Sequence, residues 1–260
     1  MRKSAVFMPF FALAAGAVGL YLRLMELICV FDELTGLPQR GARETITLIV
    51  FSAAVLLIAF LLSLRVTLKY KALPGFENAF GTAPLSYPLV FTLIGIVWFG
   101  ATVKHFFELR AGGWMPQIEL YFLILSALSA ISVAFFAIEM YQDPRRRIII
   151  ALSIVPSLFM CFWLVIMYRQ NATNPILLSY AYYCLAIISS ALGFYFTSGF
   201  VYNKPAPGKA IFSYLAAIYF CFVTLADSHS TSTKIIFAVI IAINVVYSSM
   251  LIRNLEWKNS

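Results

Sequence analysis

The sequence predicts an all-α, polytopic integral membrane protein. It reads as a bundle of about eight transmembrane helices with the N- and C-termini cytoplasmic. Three observations predict it: the apolar excess, the spacing of long apolar runs, and the sided distribution of lysine and arginine. Of 260 residues, 62% are hydrophobic and 12% charged, where soluble domains carry about 45–50% and about 25%. A globule of this size cannot hide that much apolar surface from water. An ordinary soluble enzyme, a disordered chain and a disulfide-stapled secreted domain are therefore excluded, and residues 1–260 read as one transmembrane domain.

Crossing roughly 30 Å of hydrocarbon takes about 20 mostly apolar residues. Runs of that kind lie at Ala5–Met25, Ile46–Leu64, Pro88–Phe107, Ile118–Met140, Ile148–Tyr168, Ile176–Phe200, Ile211–Leu225 and Ile235–Arg253. They are apolar on every face, as spans are, and lack the ten-residue alternation of an outer-membrane barrel. The first run follows Met1-Arg2-Lys3 and contains Ala12-x-Ala14 and Ala15-x-Ala17, the pattern of a cleavable signal peptide. It continues past both sites through Leu22, long enough to span, so a retained helix is the expectation. Turn chemistry separates the runs at Thr35-Gly36-Leu37-Pro38, Leu73-Pro74-Gly75, Asp143-Pro144, Asn174-Pro175 and Pro205-Ala206-Pro207-Gly208. Pro156 lies within the fifth run and is expected to kink it, because its ring removes one backbone hydrogen bond; Pro9, close to the start of the first, does so less. Small residues four apart (Ala12/Gly16, Ala15/Gly19, Ser126/Ala130/Ala134, Ala186/Ser190 and Ser189/Gly193) are expected to let helices approach closely within one chain.

Lysine and arginine in short loops set orientation. With the N-terminus inside, the inner segments hold Arg2, Lys3, Arg65, Lys69, Lys71, Arg145–Arg147, Lys204, Lys209, Arg253 and Lys258 against only four acids. The outer ends hold Arg23, Arg40, Arg43, Lys104, Arg110, Arg169 and Lys234, matched by seven acids. The net charge of +8 then lies wholly on the inner face, where it attracts anionic lipid. This calls for no nucleic acid, and the plasma or inner membrane is the expected location. The longest connections, Arg65–Tyr87 inside and Phe31–Thr45 outside, have room for a short interfacial segment but no core. Asn171-Ala172-Thr173 on an outer loop is a glycosylation sequon, meaningful only in a secretory-pathway host.

Ionisable groups at membrane depth are costly and usually face the bundle or water. Here they gather near the outer boundary. Arg23 and Glu26 share a face of the first helix; Lys104, His105 and Glu108 end the third; Asp227 and His229 follow the seventh. This depth clustering predicts a tentative ligand-binding pocket at Arg23, Glu26, Lys104, His105 and Glu108, with Arg23–Glu108 and Lys104–Glu26 as interhelical ion pairs. The competing expectation is that these side chains merely snorkel to the interface. Deeper in, Asn244, Ser189 and Ser190 are candidate polar contacts. An Asn at that depth is expected to hydrogen-bond a neighbouring helix, contributing about 1 kcal/mol. No acid falls at the midplane, which argues against proton- or sodium-coupled transport. No catalytic constellation, metal site or cofactor motif stands out: His105-x-x-Glu108 is a single pair, and Cys29, Cys161, Cys184 and Cys221 follow no ligand spacing and read chiefly as small core residues.

Two functions fit. The first is a small permease or ligand-binding membrane protein with an outward-facing polar pocket. The second is a non-catalytic membrane subunit or sensor acting through a separate membrane or cytoplasmic protein partner, suggested by the basic inner face around Arg145–Arg147.

Overall fold

The computed structural model describes residues 3–31, 37–39, 41–71, 76–81, 86–113, 116–142 and 147–257. The turns at Thr35-Gly36, Leu73-Pro74-Gly75 and Asp143-Pro144 lie outside them, as do Arg2, Arg40, Lys258 and the first two arginines of Arg145–Arg147. The described residues form nine helices. These are α1 (Lys3–Cys29), α2 (Arg43–Lys69), α3 (Phe76–Phe80), α4 (Ser86–Ala111), α5 (Gln117–Gln142), α6 (Arg147–Asn171), α7 (Leu177–Val201), α8 (Pro207–Thr224) and α9 (Thr231–Asn254). All but α3 are long and apolar enough to cross a membrane. Each of the eight apolar runs has become one of them. Most helices extend several residues past the apolar run, because backbone hydrogen bonding continues into the polar flanks.

The bundle is built around α8. This is the shortest span, at 18 residues, and 78% of it is buried, against 22% for α2 at the edge. It packs against α7, α1, α9 and α2, while α4, α5 and α6 complete the wall on the far side of α9. Close approach explains the small residues of α1. A Cβ on Gly16 would lie 2.8 Å from the Phe222 ring, and one on Gly19 would lie 2.8 Å from Val223 Cγ2 and 2.9 Å from Tyr219 Cε2. On α4, Gly95 meets Ala130 and Ala134 of α5 in the same way. The small-residue pattern thus serves packing within the chain. Large apolar side chains on the outer faces, such as Leu57, Leu61, Leu93 and Ile96, remain well exposed, as lipid-facing groups do.

The Arg65–Tyr87 connection is more than an interfacial segment. In α3, Phe76 and Phe80 are buried, stacked at 4.6 Å between ring centroids, and set edge-on against Phe136, Phe200 and Tyr247. The helix closes that end of the bundle. Asn254 of α9 holds it by donating to the carbonyls of Ala79 and Gly81. A two-residue antiparallel pairing, β1 (Tyr70–Lys71) with β2 (Glu256–Trp257), joins the ends of α2 and α9 nearby. These ends therefore share one side, as an even number of crossings requires. Cys221 is buried and Cys184 half-buried, but Cys29 on α1 and Cys161 on α6 are exposed, so the expectation of a core role fails for those two. A thiol is apolar enough to face lipid.

Candidate functional site

At the opposite end from α3, α1 delivers the first ionic centre. Arg23 and Glu26, three residues apart on α1, fall on one helical face, and the tight α1–α8 packing turns that face inward. Both side chains are fully buried. The Arg23 guanidinium donates from Nη1 to Glu26 Oε2 at 2.7 Å, from Nε to Asp227 Oδ1 at 2.9 Å and from Nη2 to the Ser179 carbonyl at 3.3 Å. It also lies 5.3 Å from the centroid of the Tyr182 ring, within cation–π range. Asp227 sits just after α8 and receives a second bond from Thr224 Oγ1 at 2.9 Å. That bond uses the only proton of the threonine hydroxyl. The 3.1 Å contact between Thr224 Oγ1 and His229 Nε2 must then be donated by the imidazole, which fixes the Nε2–H tautomer. Burial pushes the His229 imidazole below its usual range; Asp227 opposes that shift, and Lys234 and Arg23 add to it.

The second centre forms between α4, α5 and the start of α9. Ser232 Oγ donates to Glu108 Oε2 at 2.5 Å and contacts His105 Nδ1 at 2.9 Å. Since the serine proton goes to Glu108, His105 donates from Nδ1. Its Nε2 lies 3.8 Å from Glu119 Oε2, and Gln170 of α6 donates to Glu119 Oε1 at 3.1 Å. Lys104 Nζ reaches Glu108 at 3.7 Å across one helical turn and remains half exposed. Ser230 caps α9 by accepting from the Thr233 N–H and contacts the Ser232 hydroxyl at 2.9 Å.

The sequence-predicted residues therefore divide. Arg23 and Glu26 belong to one centre, Lys104, His105 and Glu108 to the other, and neither expected interhelical ion pair is formed. The reason is lateral order: α9 packs against both α1 and α4, so its N-terminal loop takes the place where the two helices would have met. Asp227 replaces Glu108 as the partner of Arg23, and Glu108 replaces Glu26 as that of Lys104. The snorkelling expectation fits Lys104 and fails for Arg23 and Glu26. Residues 225–232 connect the centres directly, carrying Asp227 and His229 into one and Ser230 and Ser232 into the other. Aromatic rings fill the space beneath: His105 against Phe122, Phe122 against Trp163, Trp163 against Tyr183, and Tyr183 against His229 at 4.4 Å. Trp163 Nε1 donates to the Tyr183 hydroxyl at 2.6 Å.

Ser179, Tyr182, Thr224, Glu119 and Ser232 were not singled out by the sequence. Ser232 and Thr224 flank the short turn that bears Asp227 and His229, and that proximity was the available signal. Deeper in the bundle, between α2 and α8, Tyr219 donates to Ser52 Oγ at 2.7 Å, because the Ser52 proton goes to the Leu48 carbonyl. The intramembrane candidates are mainly self-contained. Ser189 and Ser190 donate to carbonyls of their own helix, with Ser190 also 3.5 Å from Cys221 Sγ. Asn244 donates to the Ile240 carbonyl one turn back on α9, so the expected bond to a neighbouring helix is not what its amide nitrogen makes. Its Oδ1 faces α7, where a Cβ on Gly193 would lie 2.9 Å away. A groove of about 300 Å³ between α4 and α9, lined by Leu93, Val97, Ala238 and Ala242, is almost wholly apolar and separate from both ionic centres.

Fold and centres together define a class, a multi-pass membrane protein with eight candidate spans. Compared with known proteins, the chain matches no family model, no curated protein and no solved structure.

Proposed function

We propose that the protein is a small permease or ligand-binding membrane protein whose outer end, at Arg23, Glu26, Lys104, His105 and Glu108, receives a small cationic ligand. The observation that carries this reading is an imbalance of charge at two clustered centres, the first of them buried. In the first centre one guanidinium faces two carboxylates, and Glu26 Oε1 has no hydrogen-bond partner among the described residues although Glu26 is fully buried. In the second, Lys104 lies beside Glu108 at 3.7 Å, while Glu119 has Gln170 and the His105 ring as its neighbours. A buried charge normally persists only when paired, so each centre has affinity left over for positive charge. On this reading the ends of α1, α4 and α8 face outward, the termini are cytoplasmic in a plasma or inner membrane, and the basic ends meet anionic lipid.

The test is thermal unfolding of the purified protein in detergent with methylammonium, choline, sodium and calcium as probes, and acetate as control. At least one cationic probe should raise the melting temperature, and Glu108→Gln should abolish that rise. Acetate acting as well as the cations, or no probe acting at all, refutes the reading. Uptake of the active probe into vesicles then separates a permease from a receptor. Impermeant thiol labelling of cysteines placed at Gly113 and Lys204 tests the orientation, with Gly113 expected to react from outside.

A further inference from the structure

The half of the bundle away from the ionic centres contains a small, partly enclosed cavity between α5, α6, α7 and α9. It offers about 10 Å³ to the centre of a water molecule, close to the least that one water needs, roughly 10–15 Å³. Its walls are mostly apolar, yet four groups around it have hydrogen-bonding capacity to spare. Ser132 and Tyr247 line it, are each 4% exposed, and have no hydrogen-bond partner for their hydroxyls among the described residues. Thr197 donates to the Gly193 carbonyl and contacts the Tyr214 hydroxyl at 2.6 Å, which leaves one oxygen lone pair. Pro156 also lines the cavity; it has no N–H, so the Leu152 carbonyl beside it loses the donor one turn on. Two hydroxyls that can donate and two oxygens that can accept around one water-sized space make a complete set, since a buried water typically forms two to four bonds.

We propose that this cavity is a specific site for a single water molecule, which accepts from Ser132 and Tyr247 and donates to the Leu152 carbonyl and Thr197 Oγ1. The water does for α6 what the missing proline N–H cannot, and it ties α6 to α5, α7 and α9 at the point where proline interrupts the helix. It is independent of the ionic centres and of their ligand.

Two substitutions test it. Tyr247→Phe keeps the ring contacts with Phe80, Phe91 and Tyr214, and Ser132→Ala removes one hydroxyl. With a bridging water each variant melts at a lower temperature than the parent, and the double variant loses less than the two losses combined, because both dislodge the same water. A dry cavity gives the opposite sign: removing an unbonded buried hydroxyl leaves stability unchanged or raises it. A structure of the unaltered protein that resolves ordered water supplies a readout independent of the variants. It should show density within about 3.2 Å of both hydroxyls. Unchanged or raised melting temperatures, losses that add in full, or a cavity without density would each overturn the proposal.

Discussion

Replacing Arg23 by Met keeps much of the side-chain volume and removes the charge that three partners share. The bonds lost are those to Glu26 at 2.7 Å, Asp227 at 2.9 Å and the Ser179 carbonyl at 3.3 Å, together with the contact to the Tyr182 ring. Glu26 is wholly buried and Asp227 nearly so, so water cannot replace the guanidinium. Breaking a buried ion pair by removing one partner costs about 3–5 kcal/mol. At roughly 2–4 °C per kcal/mol for a chain of this size, the melting temperature should fall by about 6–20 °C. Intrinsic fluorescence in detergent reports the transition, since Trp98 and Trp163 are buried. Most of that cost is the penalty of stranding two carboxylates, so it should shrink when they are neutralised first. In a Glu26→Gln/Asp227→Asn background, Arg23→Met should cost well under half as much. An Arg23→Met protein within about 1 kcal/mol of the parent, or an equal loss in both backgrounds, would refute the reasoning.

Two further outcomes follow from packing and from titration. Gly19→Ala places a Cβ against Val223 and Tyr219 and should destabilise by about 1–3 kcal/mol. Gly100→Ala on α4 meets nothing within 4 Å and should be neutral or stabilise by about 0.5–1 kcal/mol; equal effects at the two sites in thermal unfolding would contradict the α1–α8 interface. His229 has its folded-state pKa lowered by burial, so the unfolded chain binds the proton more readily. Its contribution is fully present above about pH 6.5, the unperturbed imidazole value, and is lost as the pH falls from there through the folded value. His229→Gln should therefore flatten the pH dependence of the melting temperature between pH 7.5 and 5.5, and a parent protein that gains stability on acidification over that range contradicts the assignment.

Depth was legible in the sequence, and lateral order was not. Hydropathy fixes where a segment enters and leaves lipid, so the eight spans and the shared level of Arg23, His105, Glu108 and Asp227 can be read from one chain. Which helix stands beside which depends on how small residues such as Gly16, Gly19 and Gly95 fit particular neighbours, and in lipid no solvent-driven pattern marks that choice. Asp227 lay in view as a charge at the right depth, but its pairing with Arg23 required knowing that α8 packs on α1. Ser232 carries no charge and gave no depth signal. For α3, five residues are too few for a span, and Phe76 and Phe80 acquire meaning only from Phe136, Phe200 and Tyr247, each contributed by a different span.

The central position of α8 bears on how the two centres behave together. Its last residue, Thr224, bonds Asp227, and the chain then turns through His229, Ser230 and Ser232 into α9. Asp227 is fastened to α1 through Arg23, and Ser232 to α4 through Glu108. Few residues separate these fastenings, so the turn cannot move away from α1 or α4 as a rigid unit without straining the bonds at both. Arg23→Met should consequently loosen the Ser232–Glu108 contact as well, although no atom of that contact touches Arg23. Hydrogen–deuterium exchange over residues 225–234 detects this directly. Faster exchange confined to 225–229 in the variant, with 230–234 as protected as in the parent, would show the two centres to be mechanically separate.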